Sequence, residues 1–199
     1  MEIEWGIIVM KTKSTRLQYI DIAKGIAMIC IILGHLGNAS INRIVFTFHV
    51  PIFFFITGYF TNSKRDLNDF IKNKTRTLIV PYMITSIVII IIGTLKGVWW
   101  NNAFVEFENW SYAVLYGAGD TYTEPFWIPG IGAIWFLWAT FWGSIFLRIS
   151  FKFDKYIRLL FIVGLFAVGY FSRRIFWFPF SIQVGACATM FMYMGYLWR

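Results

Sequence analysis

The sequence predicts an all-α fold, a polytopic helical membrane protein of about six transmembrane helices with its N-terminus in the cytoplasm. Three observations predict it. Hydrophobic residues make up 58% of the 199 and charged ones only 14%, too few polar groups to coat a water-soluble globule. Uncharged runs recur at 25–42, 44–63, 77–95, 125–147, 159–172 and 175–198. Threading these runs from an inside N-terminus puts 13 of the 18 basic residues on the cytoplasmic side, four on the other and Lys24 within the first segment. That asymmetry is the positive-inside rule, so the net charge of +8 reports topology rather than nucleic-acid binding.

A helical span needs about 17–25 apolar residues, and every run but the fifth has them. The fifth, LLFIVGLFAVGYFS, has 14, so it depends on Arg158, Arg173 and Arg174 snorkelling to the interfaces or on a locally thin bilayer. Residues 1–19 form an N-terminal cytoplasmic segment. Their apolar patch, only about six residues long and preceded by acids, is no secretory signal, and Met10 is an alternative start. Residues 20–199 form one transmembrane domain. Between the second and third spans, KRDLNDFIKNKTR carries Leu67, Phe70 and Ile71 at helical spacing among bases, as expected of a helix along the inner membrane surface. If the turn between the first two spans centres near Asn42, His35 and His49 each stand seven residues from it. The long outer loop, 96–132, combines tryptophans and tyrosines with Glu106, Glu108, Asp120 and Glu124. Its rings suit either the interfacial aromatic belt or the apolar faces of a sugar. Cys30 and Cys187 fall inside apolar runs and read as small packing residues.

The first span is unusual because it is not inert. On an ideal helix Lys24 lies about 60° from Asp21, and His35 about 40° from Asp21 on the same side, so all three share a narrow stripe. Lipid would penalise such a stripe, which must therefore face the bundle interior or a wet cavity. Asp21 and Lys24, three residues apart, can pair and lower each other's cost. The chain has only two histidines, and a hairpin that sets His35 and His49 at similar depth gives them a shared cavity suited to general-base catalysis, proton relay or acyl handling. The competing reading is two histidines hydrogen-bonded between helices as packing. No metal-ligand cluster, phosphate-binding glycine loop or serine-based triad is visible.

Four ordered segments, YIDIAKGIAMICIILGH, FHVPIFFFITGYF, RTLIVPY and IWFLWATF, resemble membrane acyltransferase family 3, most closely its sugar O-acetylase branch of the fucose 4-O-acetylase type. The resemblance runs from about Tyr19 to the end of the sequence. It implies a bacterial inner-membrane enzyme that moves an acyl group, usually acetyl from acetyl-coenzyme A or another acyl-CoA, onto a hydroxyl of a surface glycan or glycolipid precursor, without a metal. It also implies that His35 is the histidine ending the motif of a basic residue, ten residues, then histidine, and that Lys24 is the basic residue. Asp21, His35 and His49 are the catalytic candidates, and Lys24, Arg43, Arg76 and Trp135 the substrate-binding ones. Arg16, Lys64, Arg65, Lys74 and Arg76 are available for the donor's phosphates. Relatives have more spans, so the sequence is expected to correspond to the N-terminal part of the family fold. A homo-oligomer or a partner subunit is compatible with that, as is an inactive fragment. The rival class is a proton-coupled transporter or flippase, which also carries acid, base and histidine through a membrane. The four ordered segments favour transfer chemistry.

Overall fold

The computed structural model describes residues 17–36 and 38–199, so the alternative start at Met10 and most of the 1–19 segment lie outside the described residues. Among the described residues the fold is helical: α1 (Gln18–Gly34), α2 (Ala39–Val45), α3 (His49–Tyr59), α4 (Leu67–Lys74), α5 (Val80–Trp99), α6 (Ala103–Tyr116), α7 (Trp135–Ser150), α8 (Lys155–Ser172) and α9 (Ile182–Leu197). Four helices are long and apolar enough to cross a membrane: Ala39–Tyr59, Leu67–Trp99, Gly132–Ser150 and Lys155–Ser172. The spanning stretch of Lys155–Ser172 is only 11% buried, and α5 points Ile84, Ile87, Val88 and Ile91 outwards. Apolar surface on that scale is stable in lipid and not in water. The protein is a helical membrane protein.

Local chemistry sets the helix starts. Asn38 Oδ1 accepts from the backbone N–H groups of Ser40 (3.0 Å) and Ile41 (3.2 Å), capping α2. Asp66 Oδ2 does the same for Asn68 (2.9 Å) and Asp69 (3.3 Å) at α4, and Asp154 Oδ1 for Tyr156 (3.0 Å) and Ile157 (3.2 Å) at α8. Each cap satisfies donors that the first turn leaves free. Asp154 also explains why the fifth apolar run is long enough: the helix starts at Lys155, not at Leu159, and has 18 residues. The sixth run is the shorter one, with 16 helical residues in α9. Pro179 and the positive φ of Phe180 (56°) and Ser181 (50°) stop that helix from extending towards Ile175.

Two further expectations are corrected. α1 ends at Gly34 and α2 begins at Ala39 with Asn38 as its cap, so Asn42 lies inside α2 and not at a reversal. The Asn38 side chain wins the start of α2, so His35 ends α1 instead of standing seven residues before a turn. The basic segment around Phe70 is not a separate surface helix, since α4 runs through a π-helical turn at Thr75–Ile79 into α5 as one helix, Leu67–Trp99. That turn lies where Pro81 would collide with the carbonyl four residues back, Thr77, and the wider π geometry absorbs the lost hydrogen bond.

α9 is central and packs on α3, α7 and α8. Small residues permit this: a Cβ on Gly58 of α3 would collide with the Met192 carbonyl of α9, and one on Gly195 of α9 with the Phe55 carbonyl of α3. Phe54, Leu147, Ile162 and Met192 fill the core around that contact. Residues 117–131 form a small closed loop, with bridges Ala118 to Gly130 and Tyr122 to Ile128. Ser181 Oγ donates to the Gly117 carbonyl at 2.6 Å, and the backbone N–H of Phe180 to Leu115 at 2.8 Å, which ties this loop and α6 to the start of α9 and offsets the strained backbone there.

Candidate functional site

A cavity of about 430 Å³ opens between α1, α3, α4 and α7 at the end of the bundle that carries most of the basic residues. Its mouth is built by Lys24, Arg65, Asn62, Asn73 and Lys74, and its deeper wall by Phe53, Ile56 and Phe136. Three cations line it and, among the described residues, no carboxylate does. Lys24 Nζ stands 5.7 Å from the centre of the Phe60 ring and Lys74 Nζ 5.6 Å from that of Phe70, so aromatic faces support both ammonium groups. The loop that carries Arg65 is fastened from two sides: the Arg148 guanidinium of α7 donates to the Arg65 carbonyl, and Arg199 Nη1 to the Thr61 carbonyl at 3.3 Å. A dipolar, cationic pocket of this kind can hold a phosphorylated molecule at its mouth and an apolar arm further in.

The histidines lie beyond that cavity. α1 and α3 pack antiparallel, and Lys24 meets Phe60. Eleven residues further along each helix, a rise of roughly 16 Å, come His35 and His49. Phe46 joins the two ends, since a Cβ on Gly34 would stand 3.2 Å from its ring and its centroid lies 5.2 Å from that of His49. Each histidine uses Nδ1 in the same way: His35 bonds the Ile31 carbonyl at 2.8 Å and His49 the Val45 carbonyl at 2.5 Å. A carbonyl only accepts, so Nδ1 carries the proton and the neutral ring keeps its lone pair on Nε2, the nitrogen able to act as base. They differ in access. His35 is exposed, whereas His49 is 4% exposed.

The remaining candidates are dispersed. Asp21 sits half-buried in the first turn of α1 and does not line the cavity. Arg43 is exposed on α2, and Arg76 is exposed in the π turn. Trp135 packs on the outer loop, where a Cβ on Gly119 would meet its Nε1 at 2.6 Å. Of the five bases considered for donor phosphates, Arg65 and Lys74 reach the cavity, Lys64 and Arg76 do not, and Arg16 lies outside the described residues. Several outer-loop aromatics face each other: Tyr122 and Trp177 have centroids 4.4 Å apart and Tyr116 and Phe126 5.6 Å, with Trp177 buried. Trp99 and Trp100 remain outward, at 87% and 76% exposure, as a membrane belt requires. Sequence reasoning missed Phe53, Thr57 and Phe136 as cavity walls. The signal for the first two was present, because Phe53, Ile56, Thr57 and Phe60 recur at i, i+3, i+4 and i+7. Phe136 comes from a distant helix and left none.

The fold and site therefore define a helical membrane protein with a cationic cavity at one end and a pair of oriented histidines further along the same helix pair. A family model described as an acyltransferase domain, that of acyltransferase family 3, matches residues 17–199. The chain belongs to this family of membrane acyltransferases. No curated protein and no solved structure matches the chain.

Proposed function

We propose that the protein is an O-acetyltransferase of the sugar O-acetylase branch, which moves an acetyl group from acetyl-CoA to a hydroxyl of a cell-surface glycan or its lipid-linked precursor in a bacterial inner membrane. The observation that carries this reading is the cavity with Lys24, Arg65 and Lys74 on its lining and no carboxylate among the described residues. Its volume, about 430 Å³, lies within the range of small-molecule sites, and its charge suits the phosphates of a coenzyme A. Arg65 and Lys74 hold the phosphates at the mouth, and Lys24, across the mouth on α1, steers the arm that bears the thioester. Lys24 is a point charge, so it contributes attraction without the bidentate grip of an arginine.

The donor supplies the thioester. His35 Nε2 takes the proton of the acceptor hydroxyl as its oxygen bonds to the thioester carbonyl carbon. The carbon–sulfur bond breaks, and the histidine returns the proton to the departing sulfur, leaving an ester and a free thiol. His49, buried and bonded through Nδ1, positions Phe46 and the end of α1 rather than meeting substrate.

The test is to incubate membranes bearing the protein with acetyl-labelled acetyl-CoA and to measure alkali-labile acetyl on glycan. Label transfer is expected. Arg65→Gln and Lys74→Gln should each raise the donor KM about tenfold or more, the worth of a charged hydrogen bond, with kcat less affected. Proton-dependent solute flux without any acetylation would identify a carrier instead.

A further inference from the structure

The cavity stops short of the histidines. On α3 its wall is Phe53, Ile56, Thr57 and Phe60, one face of the helix, and the residue that continues this face one turn further is His49. His49 is buried and does not line the cavity. Of the lining residues on α3, Phe53 is the one nearest to His49 along the helix, and Phe136 of α7, also on the lining, is edge-on to it at 6.0 Å. Phe136 is itself held, stacked at 4.9 Å on the buried Phe54 and edge-on to Trp135 at 6.0 Å. The cavity therefore ends on an aromatic wall about one helical turn, roughly 6 Å, before the histidine level.

We infer that Phe53 and Phe136 determine donor specificity by gauging the length of the acyl group. This rests on the acyl-CoA reading above. A donor whose phosphates occupy the basic mouth presents its thioester end to this wall, and the thioester must come abreast of the rings to approach His35. Each methylene beyond acetyl then has to be accommodated against Phe53 and against Phe136, which Phe54 and Trp135 hold. The wall selects the shortest acyl chain, and one misfitting methylene in such a pocket is worth about 10–200-fold.

The test compares kcat/KM for acetyl-, butyryl- and hexanoyl-CoA in the full chain in membranes. The unaltered protein should prefer acetyl-CoA over butyryl-CoA by at least about tenfold. Phe53→Ala should raise the butyryl-to-acetyl ratio by about tenfold or more, and Phe53→Leu should shift it in the same direction by less, which keeps the test open if the alanine variant folds poorly. Phe171→Ala, on the exposed side of α8 and not on the cavity lining, should leave the ratio unchanged. An unaltered ratio in a folded, active Phe53→Leu or Phe53→Ala protein overturns the gauge, as does an equal shift from Phe171→Ala. Transfer from none of the donors by the unaltered protein overturns the acyl-CoA reading and the gauge with it, whereas transfer with an unmoved ratio removes the gauge alone.

Discussion

Replacing His35 by alanine is expected to lower acyl transfer by about 10²–10⁴-fold, the usual contribution of a positioned acid–base group, with little effect on stability. The asymmetry follows from its surroundings. His35 is exposed, and its ring is bonded to the Ile31 carbonyl of its own helix, so alanine removes the Nε2 base and leaves the packing intact. His49→Ala should behave in the opposite way. That ring is buried, bonded to Val45 and packed against Phe46, so its loss leaves a cavity, strips the Val45 carbonyl of one of its two hydrogen bonds and should cost about 1–3 kcal/mol of stability. Transfer assays paired with thermal unfolding in detergent separate the two. Full acetylation by the His35→Ala protein would exclude that histidine from the chemistry, and a His49→Ala protein as stable as the parent would exclude the packing account.

The largest expected structural effect lies at the crossing of α3 and α9. Gly58→Ala drives a methyl group into the Met192 carbonyl, and Gly195→Ala into the Phe55 carbonyl. Because backbone stands in the way and no side chain can swing aside, each should cost more than the ~1–3 kcal/mol usual for overpacking. The two are reciprocal, so once one methyl has forced the helices apart the second should add little, and the double variant should be clearly less destabilised than the sum. Gly25→Ala and Gly164→Ala are the controls, since a Cβ at either position meets nothing within 4 Å. A fall in Tm for the first pair only, with a sub-additive double variant, is the expected result. Equal Tm values for all four would contradict the close crossing.

Much of this architecture was legible because apolar runs and basic flanks are local properties. The run 77–95 and the bases before it predict a long third helix, and YIDIAKGIAMICIILGH marks Lys24 and His35 without any knowledge of packing. What failed was decided by single side chains or distant partners. Asn38 captures two backbone donors and moves the first reversal away from Asn42, and Asp154 does the same for α8, whose start looked too polar to belong to a span. Nothing local in the sequence says that Gly58 of α3 and Gly195 of α9 answer each other at the crossing. The outer loop reads as a belt or a sugar platform, whereas the contact of Tyr122 with Trp177 depends on residues fifty-odd positions apart meeting above the bundle. In the cavity, Lys24, Arg65 and Lys74 were each visible as bases, but their convergence is a product of how α1, the loop after α3 and α4 come together.

The widened turn at Thr75–Ile79 acts on the cavity as a phase shift. One extra residue in a helix rotates everything before it by roughly 100° relative to everything after, so the lipid-facing side of α5 and the ligand-facing side of α4 can differ in azimuth although they belong to one rod. Deleting Thr77 would take one residue's rotation out of the rod and swing Asn73 and Lys74 off the cavity rim. Loss of one uncharged residue that does not line the site should then weaken donor binding as much as Lys74→Gln does, a comparison that donor KM values read directly.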